Sequence, residues 1–290
     1  MGRQRHSSLL AEGFRRAEAL TRDHARTFHF ASRFLSPDKR RACYAVYAAC
    51  RLCNEAVDAR APDPLIRLDA VRARLDAAYA FRSPTNDPLM EALRDSVIAC
   101  DIPKRYFEDL LEGMKMDLTK TRYAAFTELF LYCYRTAGVV GLTMARILGA
   151  ETPEAEKRSL DIGVAIRLTD ILRDIKEDFD RGHVYLPQDE MAACGVTEDD
   201  IAAGNLTAGF VDLMRRQTER AHSYYREGRQ GLDAIIDKKG RLVATLMATL
   251  HERILDKIEQ QRYNVFKRRA SVPLHETIVR ASAFVLRTLR

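Results

Sequence analysis

The stretches Arg51-Leu52-Cys53-Asn54-Glu55-Ala56-Val57-Asp58 and Asp170-Ile171-Leu172-Arg173-Asp174-Ile175-Lys176-Glu177-Asp178 set an acid or amide at every fourth position inside helical patterns. An α-helix turns once in about 3.6 residues, so groups at i, i+4 and i+8 drift slowly around one face and rise ~6 Å per step. Asn54 and Asp58 are therefore expected on one face, and Asp170, Asp174 and Asp178 on another. Carboxylates gathered this way repel one another unless a cation lies between them. Mg²⁺ takes hard oxygen ligands, carboxylates and phosphate oxygens among them. One such repeat is ordinarily a solvated face or a partner for nearby Lys and Arg. Two repeats, each beside an arginine (Arg51 and Arg173), point to a metal site that grips a diphosphate.

Outward from these stretches, helical periodicity continues along almost the whole chain, and alternation of the strand type is not found. Helices are expected near Ser8 to Phe28, Pro37 to Ala59, Pro64 to Ala80, Asp87 to Ala99, Lys104 to Asp117, Phe126 to Leu148, Pro153 to Arg181, Thr207 to Ile236, Arg241 to Gln261 and Leu274 to Leu289. Most open on Ser, Thr, Asp or Pro, several close near Gly, and breaks such as Arg82 to Asn86 are short and polar. The expectation is an all-α fold: one domain over 1–290, residues 1–7 a flexible tail, in a bundle of about ten helices around a central cavity. Bundle cores are where facing helices build metal sites. Gly138 and Gly141 cost roughly 1 kcal/mol each relative to Ala inside a helix. Their use is space, either for close helix packing or for an apolar ligand.

Apolar residues make up 47% of the 290, which suits a globular chain, and no run approaches the length of a membrane span. The start lacks the apolar segment of a secretion signal, so the expected location is the cytoplasm. A mixed apolar and basic stretch, Thr277 to Arg287, adds the prospect of peripheral membrane contact. The net charge of +6, from 47 basic and 41 acidic residues, suits an anionic small substrate or membrane surface. Nucleic acid is not expected, because no reading module is present and the bases alternate with acids. The six cysteines show no framework spacing, and Cys50-x-x-Cys53 has no second pair to complete a zinc site.

Four segments carry a resemblance: Tyr44 to Arg51 leading into the first repeat, Glu112 to Tyr123, Tyr132-Cys133-Tyr134 with the small residues after it, and Leu172-Arg173-Asp174 continuing to Arg181 through Pro187. Together they resemble the squalene/phytoene synthase family, head-to-head prenyltransferases with an all-α isoprenoid synthase fold, from about Thr27 to Pro273. The resemblance implies that Asp58, Asp174 and Asp178, with Asn54 and Asp170, hold two or three Mg²⁺ ions on prenyl diphosphate. It implies that Arg51, Lys120, Arg122 and Arg173 meet phosphate oxygens, and that Asp117 lies near a second diphosphate. A surface ion pair is the ordinary alternative for each basic residue, and a plain surface acid for Asp117. Phe28 and Tyr132 match positions that offer aromatic faces to an allylic carbocation in a closed, apolar cavity.

Four positions depart from the family pattern. Asn54 stands where Asp is usual and Asp170 where Asn is usual, so the count of carboxylates is kept while one charge moves to the second helix. Arg167 replaces Gln, either as an i,i+3 partner of Asp170 or as a diphosphate contact. His251 replaces Tyr, either as a proton acceptor or as a hydrogen-bonded core histidine. The leading expectation is ionisation of an allylic prenyl diphosphate and head-to-head joining to a second, giving a phytoene-like or squalene-like product; NADPH is needed only for squalene. Two alternatives stay open: prenyl transfer to an aromatic small molecule, and a catalytically silent binding or assembly protein.

Overall fold

The computed structural model describes residues 2–58, 62–80, 85–150 and 152–273. The expected helix at Leu274 to Leu289, and with it Thr277 to Arg287, lies outside the described residues. In chain order the helices are α1 (Gly2–His24), α2 (Arg26–Ser32), α3 (Pro37–Ala56), α4 (Pro64–Tyr79), α5 (Pro88–Ala99), α6 (Lys104–Thr119) and α7 (Phe126–Cys133). A π-helical turn, Tyr134–Gly138, joins α7 to α8 (Val139–Leu148). Then follow α9 (Pro153–Arg173), α10 (Ile175–Asp180), α11 (Gln188–Ala193), α12 (Glu198–Ala203), α13 (Ala208–Gln230), a 3₁₀ turn Leu232–Ala234 and α14 (Lys238–Gln260). Among the described residues no strand forms; only isolated bridges such as Arg122 with Val184 occur.

The start signals act through hydrogen bonds. Thr152 accepts from the amide of Ala155 at 3.2 Å, Thr207 from Phe210 at 3.0 Å, and Asp87 from Leu89 at 3.0 Å, each satisfying an amide that the first helical turn leaves without a partner. Thr197 and Asp200 close a reciprocal capping box on α12, a one-and-a-half-turn helix too short to register as periodicity. α1 starts at Gly2, so most of the expected tail lies in its first turns. The expected helix Ser8 to Phe28 is divided at Ala25, whose backbone leaves the helical region.

α9 is the axis of the molecule. It packs against α8, α13, α14 and the π-helical turn. Two glycines set its distance from α8: a Cβ on Gly141 would stand 2.4 Å from the carbonyl oxygen of Ser159, and one on Gly163 would stand 2.4 Å from that of Ala137. These contacts hold the backbones closer than any side chain permits. One apolar core, with Val46, Leu93, Leu111 and Val139, fills the space among α3, α5, α6 and α8. A second, with Leu129, Val164, Leu213 and Leu255, fills that among α7, α9, α13 and α14.

Candidate active site

Between the two cores lies a cavity of about 430 Å³, within the range of small-molecule sites. Its wall is mostly aliphatic and aromatic, with Phe28, Tyr47, Met114, Val140, Met144 and Ile166 among the lining residues. Polar groups gather at one end: Asn54 from α3, Arg167 and Asp170 from α9, and His251 from α14. Leu148, Leu232, Ile235 and Val243 stand at the other. Gly141 admits α9, the close-packing use expected of it, and also lines this cavity. Phe28 lines it too, with its ring 6.0 Å from that of Tyr47.

Both acidic repeats deviate from a single helical face. α3 ends at Ala56, and Val57 (φ −103°, ψ 9°) turns the chain toward the Pro62 and Pro64 region, so Asp58 lies past the helix instead of one turn along it from Asn54. α9 ends at Arg173, and Asp174 (φ −107°, ψ 15°) occupies the sparsely populated bridge region between α9 and α10. The four-residue step survives the bend through backbone bonds from Asp174 N to Asp170 O at 3.0 Å and from Asp178 N to Asp174 O at 2.8 Å. The trio of side chains does not converge, because Asp170, Asp174 and Asp178 do not bring oxygens within 4.8 Å of one another.

Ion pairs explain the divergence. Arg173 reaches Asp170 at 2.8 Å and Asp174 at 2.8 Å, while Arg269 meets both oxygens of Asp174 at 2.8 and 3.0 Å. Asp170 also has His251 Nε2 3.4 Å away. Burial works against ionisation of Asp170, but His251, Arg173 and Arg167 outweigh it and hold the carboxyl at about 2. Asp178 is the opposite case. Burial, with Asp174 adding to it, pushes Asp178 up to about 6, and no Lys or Arg stands within ion-pair distance of it among the described residues.

The family implies Mg²⁺ here, and the residues present fit it. The donors are hard oxygens, four carboxylates and an amide, and Asp178 is a half-buried carboxylate that forms no ion pair among the described residues, with Arg167, Arg181 and His183 acting on it only through space. Among the described residues a different trio, His222, Asp256 and Glu259, brings its donors within 4.8 Å, but it sits away from the cavity wall with His222 hydrogen-bonded to Glu252.

The basic residues expected at phosphate are paired with carboxylates. Arg51 bonds Glu55 at 2.7 Å, Lys120 bonds Glu128 at 2.8 Å, and Arg122 takes both oxygens of Glu198 at 2.5 and 2.7 Å. Arg122 also donates to the carbonyls of Thr121 and Gly182, so it fastens the 121–122 strand-like segment to the loop after α10. Asp117 accepts from the Tyr185 hydroxyl at 3.0 Å, and its carbonyl meets His183 at 3.0 Å.

Arg167 does not form the expected i,i+3 ion pair with Asp170. Its guanidinium lies over the rings of Tyr132 at 4.9 Å and Tyr185 at 5.7 Å and donates to the Tyr132 hydroxyl, while Asp170 is taken by Arg173 and His251. The aromatic face expected to meet a carbocation is thereby turned to a side-chain cation. Sequence reasoning also missed Arg269, which sits in the basic run Lys267-Arg268-Arg269 with no spacing signal, and Tyr185, which was present in a quoted segment without a role.

An all-α bundle with two acidic repeats, whose Asn54 and Asp170 reach an apolar cavity, is the architecture of an isoprenoid synthase. The chain belongs to the squalene/phytoene synthase family, a family of prenyltransferases, whose profile matches residues 21–276. It is 39% identical over 273 residues to a chloroplastic phytoene synthase 2 of Solanum lycopersicum, covering 91% of this chain and 87% of that one. It is 38% identical to a chloroplastic phytoene synthase of an Oncidium hybrid, covering 91% of this chain; the match spans 65% of that longer relative. Among solved structures, a squalene synthase from Alicyclobacillus acidocaldarius superposes with a TM-score of 0.82 at 29% identity, over 88% of this chain and 96% of that one. A ligand-bound dehydrosqualene synthase shares the fold, with a TM-score of 0.87 at 24% identity over 96% and 97% of the two chains.

Proposed function

We propose that this protein ionises an allylic prenyl diphosphate with Mg²⁺ and joins its carbon chain to a second prenyl diphosphate, head to head. The observation that carries this reading is the make-up of the cavity, with Asn54, Arg167, Asp170 and His251 set in a wall that is otherwise mostly apolar. The chain of the donor lies along α9, and its diphosphate faces the α9–α10 bend. Asn54, Asp58, Asp170, Asp174 and Asp178 are the residues that would hold Mg²⁺. When bound, the ions supply charge neutralisation of the leaving diphosphate. Arg173, already oriented by Asp170 and Asp174, stands at the bend to present its planar fork to phosphate oxygens. Arg51, on α3 three residues before Asn54, is held by Glu55 and would exchange that partner for phosphate.

The apolar wall, with Phe28 and Tyr47 in it, would keep water from quenching an allylic cation. Phytoene-like products need no reductant; a squalene-like product would require NADPH. A water-insoluble product is also the reason to propose peripheral contact with a membrane surface. No helix among the described residues is long and apolar enough to cross one. One observation favours a second reading, prenyl transfer to an aromatic acceptor: Tyr132 is covered by Arg167, so a second allylic chain loses that ring as a cation partner.

The deciding assay incubates wild type and Asp178→Ala with C5, C10, C15 and C20 diphosphates and Mg²⁺, measuring pyrophosphate and extracting lipids. A C30 or C40 product from wild type alone supports condensation. Pyrophosphate release that requires an added aromatic acceptor supports the second reading. No release under either condition rejects both.

A further inference from the structure

Away from the cavity, α14 carries Glu252, Asp256 and Glu259 at spacings of four and three, which sets three carboxylates on one face of the helix. His222, from α13, stands against that face. Its Nδ1 lies 2.8 Å from one oxygen of Glu252, whose other oxygen is taken by Arg229, and its Nε2 lies 3.5 Å from Glu259. A donor atom from each of His222, Asp256 and Glu259 lies within 4.8 Å of the other two. Arg253 bonds Asp256 at 2.6 Å, but among the described residues no Lys or Arg stands within ion-pair distance of Glu259.

Two details separate this cluster from an ordinary ion-pair network. An ionised carboxylate only accepts, so the proton shared with Glu252 sits on Nδ1, and Nε2 is the nitrogen turned to Glu259. A histidine that ligates a metal is held in this way, its second ring N–H given to a carboxylate outside the ligand set, and Arg229 fixes that carboxylate in turn. The second detail is distance. The 3.5 Å from Nε2 to Glu259 is long for an N–H···O bond, but neighbouring ligands of a tetrahedral ion at about 2.0–2.1 Å stand ~3.3 Å apart. One imidazole nitrogen with two carboxylate oxygens suits Zn²⁺, whereas Mg²⁺ keeps to oxygen.

We infer that His222, Asp256 and Glu259 form a second metal site, for a borderline divalent ion such as Zn²⁺, which clamps α14 to α13. It is separate from the acidic repeats, since none of the three residues lines the cavity. Three protein ligands leave a further position to water, on the side where Glu259 is exposed. The ion takes the place of the proton that Nε2 carries in an imidazolium, so the Nδ1–H bond to Glu252 persists in both forms. The clamped helix is the one that brings Met247 and His251 to the cavity, and His251 directly precedes Glu252. The site does not depend on what the cavity binds.

The test uses the full chain, stripped with EDTA, dialysed, and held in a large excess of Mg²⁺ so that the hard oxygen sites of the acidic repeats are occupied. Titration calorimetry with Zn²⁺ should show a single site, and Zn²⁺ should raise the Tm. His222→Gln and Glu259→Gln should each weaken Zn²⁺ binding by about tenfold or more and remove the gain in Tm. Glu259 is exposed, so its variant reads the site even where His222→Gln loses its fold. His29→Gln removes a histidine that stands 3.5 Å from a single glutamate, Glu18, and should leave the Kd unchanged. An imidazolium that only pairs with Glu252 and Glu259 predicts no Zn²⁺ uptake by wild type, and that result overturns the inference. So does a Kd that is the same in wild type and Glu259→Gln, or one that follows His29 instead of His222.

Discussion

At the scale of single residues, arginine geometry organises the site. Arg173 spans two carboxylates that the sequence places four apart, and it does so with a planar fork whose separate N–H groups reach Asp170 and Asp174 at once. A lysine ammonium is a single point and cannot span them. Arg173→Lys should therefore lose a charge-assisted contact worth roughly 1.5–3 kcal/mol, which corresponds to about a 13- to 160-fold fall in pyrophosphate release. A stopped pyrophosphate assay at saturating substrate checks this, and an unchanged rate would place Arg173 outside the reaction. The Asp170 and Asn54 exchange was legible in the sequence as a moved charge. Its consequence was not, because the partners of Asp170 come from one residue on its own helix and one on α14, more than 80 positions later in the chain.

At the scale of elements, the fit of α8 and the π-helical turn against α9 depends on absent side chains. Gly141→Ala would force a Cβ to within 2.4 Å of the Ser159 carbonyl, and the neighbour is backbone that cannot rotate away. A destabilisation of about 1–3 kcal/mol is expected from such overpacking, read as a lower midpoint in urea denaturation. Gly182→Ala serves as the contrast for space, since nothing lies within 4 Å of its Cβ position; its φ of 89° makes any cost there one of backbone strain alone. The pairing of α13 with α14 depends on pH. The Glu252 hydrogen bond raises the His222 pKa, so its stabilisation is complete below about 6.5 and is lost as pH rises through the folded value. Burial resists ionisation of Glu252, but His222 and Arg229 overcome it, so its stabilisation is present above about 4.5 and is lost in acid. Wild type should thus lose Tm relative to His222→Gln as pH is raised from about 6 to about 8, and parallel Tm curves across that range would contradict the assignment.

At the scale of the whole molecule, the cavity runs with the helices that line it. From Asp170 to Ser159 along α9 is 11 residues, a rise of about 16 Å at 1.5 Å each, and Asn54 to Cys43 on α3 covers the same span. That length, closed by Leu148, Leu232 and Ile235, bounds the prenyl chain that can enter. Ala244→Phe places a large ring at the apolar end and should shift turnover toward shorter diphosphates, for example C10 over C20, by at least tenfold in relative kcat/KM. Product analysis with mixed substrates checks it. The far end is also tied across elements: Lys39 on α3 bonds Asp237 at 2.7 Å and the Leu148 carbonyl at 3.4 Å. These half-exposed contacts link three helix ends that the sequence separates by up to 198 positions.

The sequence by itself determined the all-α class and most of the long helices, the family and the identity of the acid-bearing stretches, because helical period, capping residues and four-residue spacing are local properties of the chain. It also marked Asn54, Arg167, Asp170 and His251 as the positions that depart from the family pattern. Only the tertiary structure decided what those positions do to one another. It set Arg167 on the faces of Tyr132 and Tyr185, gave Asp170 to Arg173 and His251, brought Arg269 onto Asp174, and left Asp178 without an ion pair among the described residues. The reason is physical: which charges neutralise one another depends on distances of a few ångströms between helices, and those distances are fixed by packing, such as the backbone contacts at Gly141 and Gly163, that no local pattern encodes.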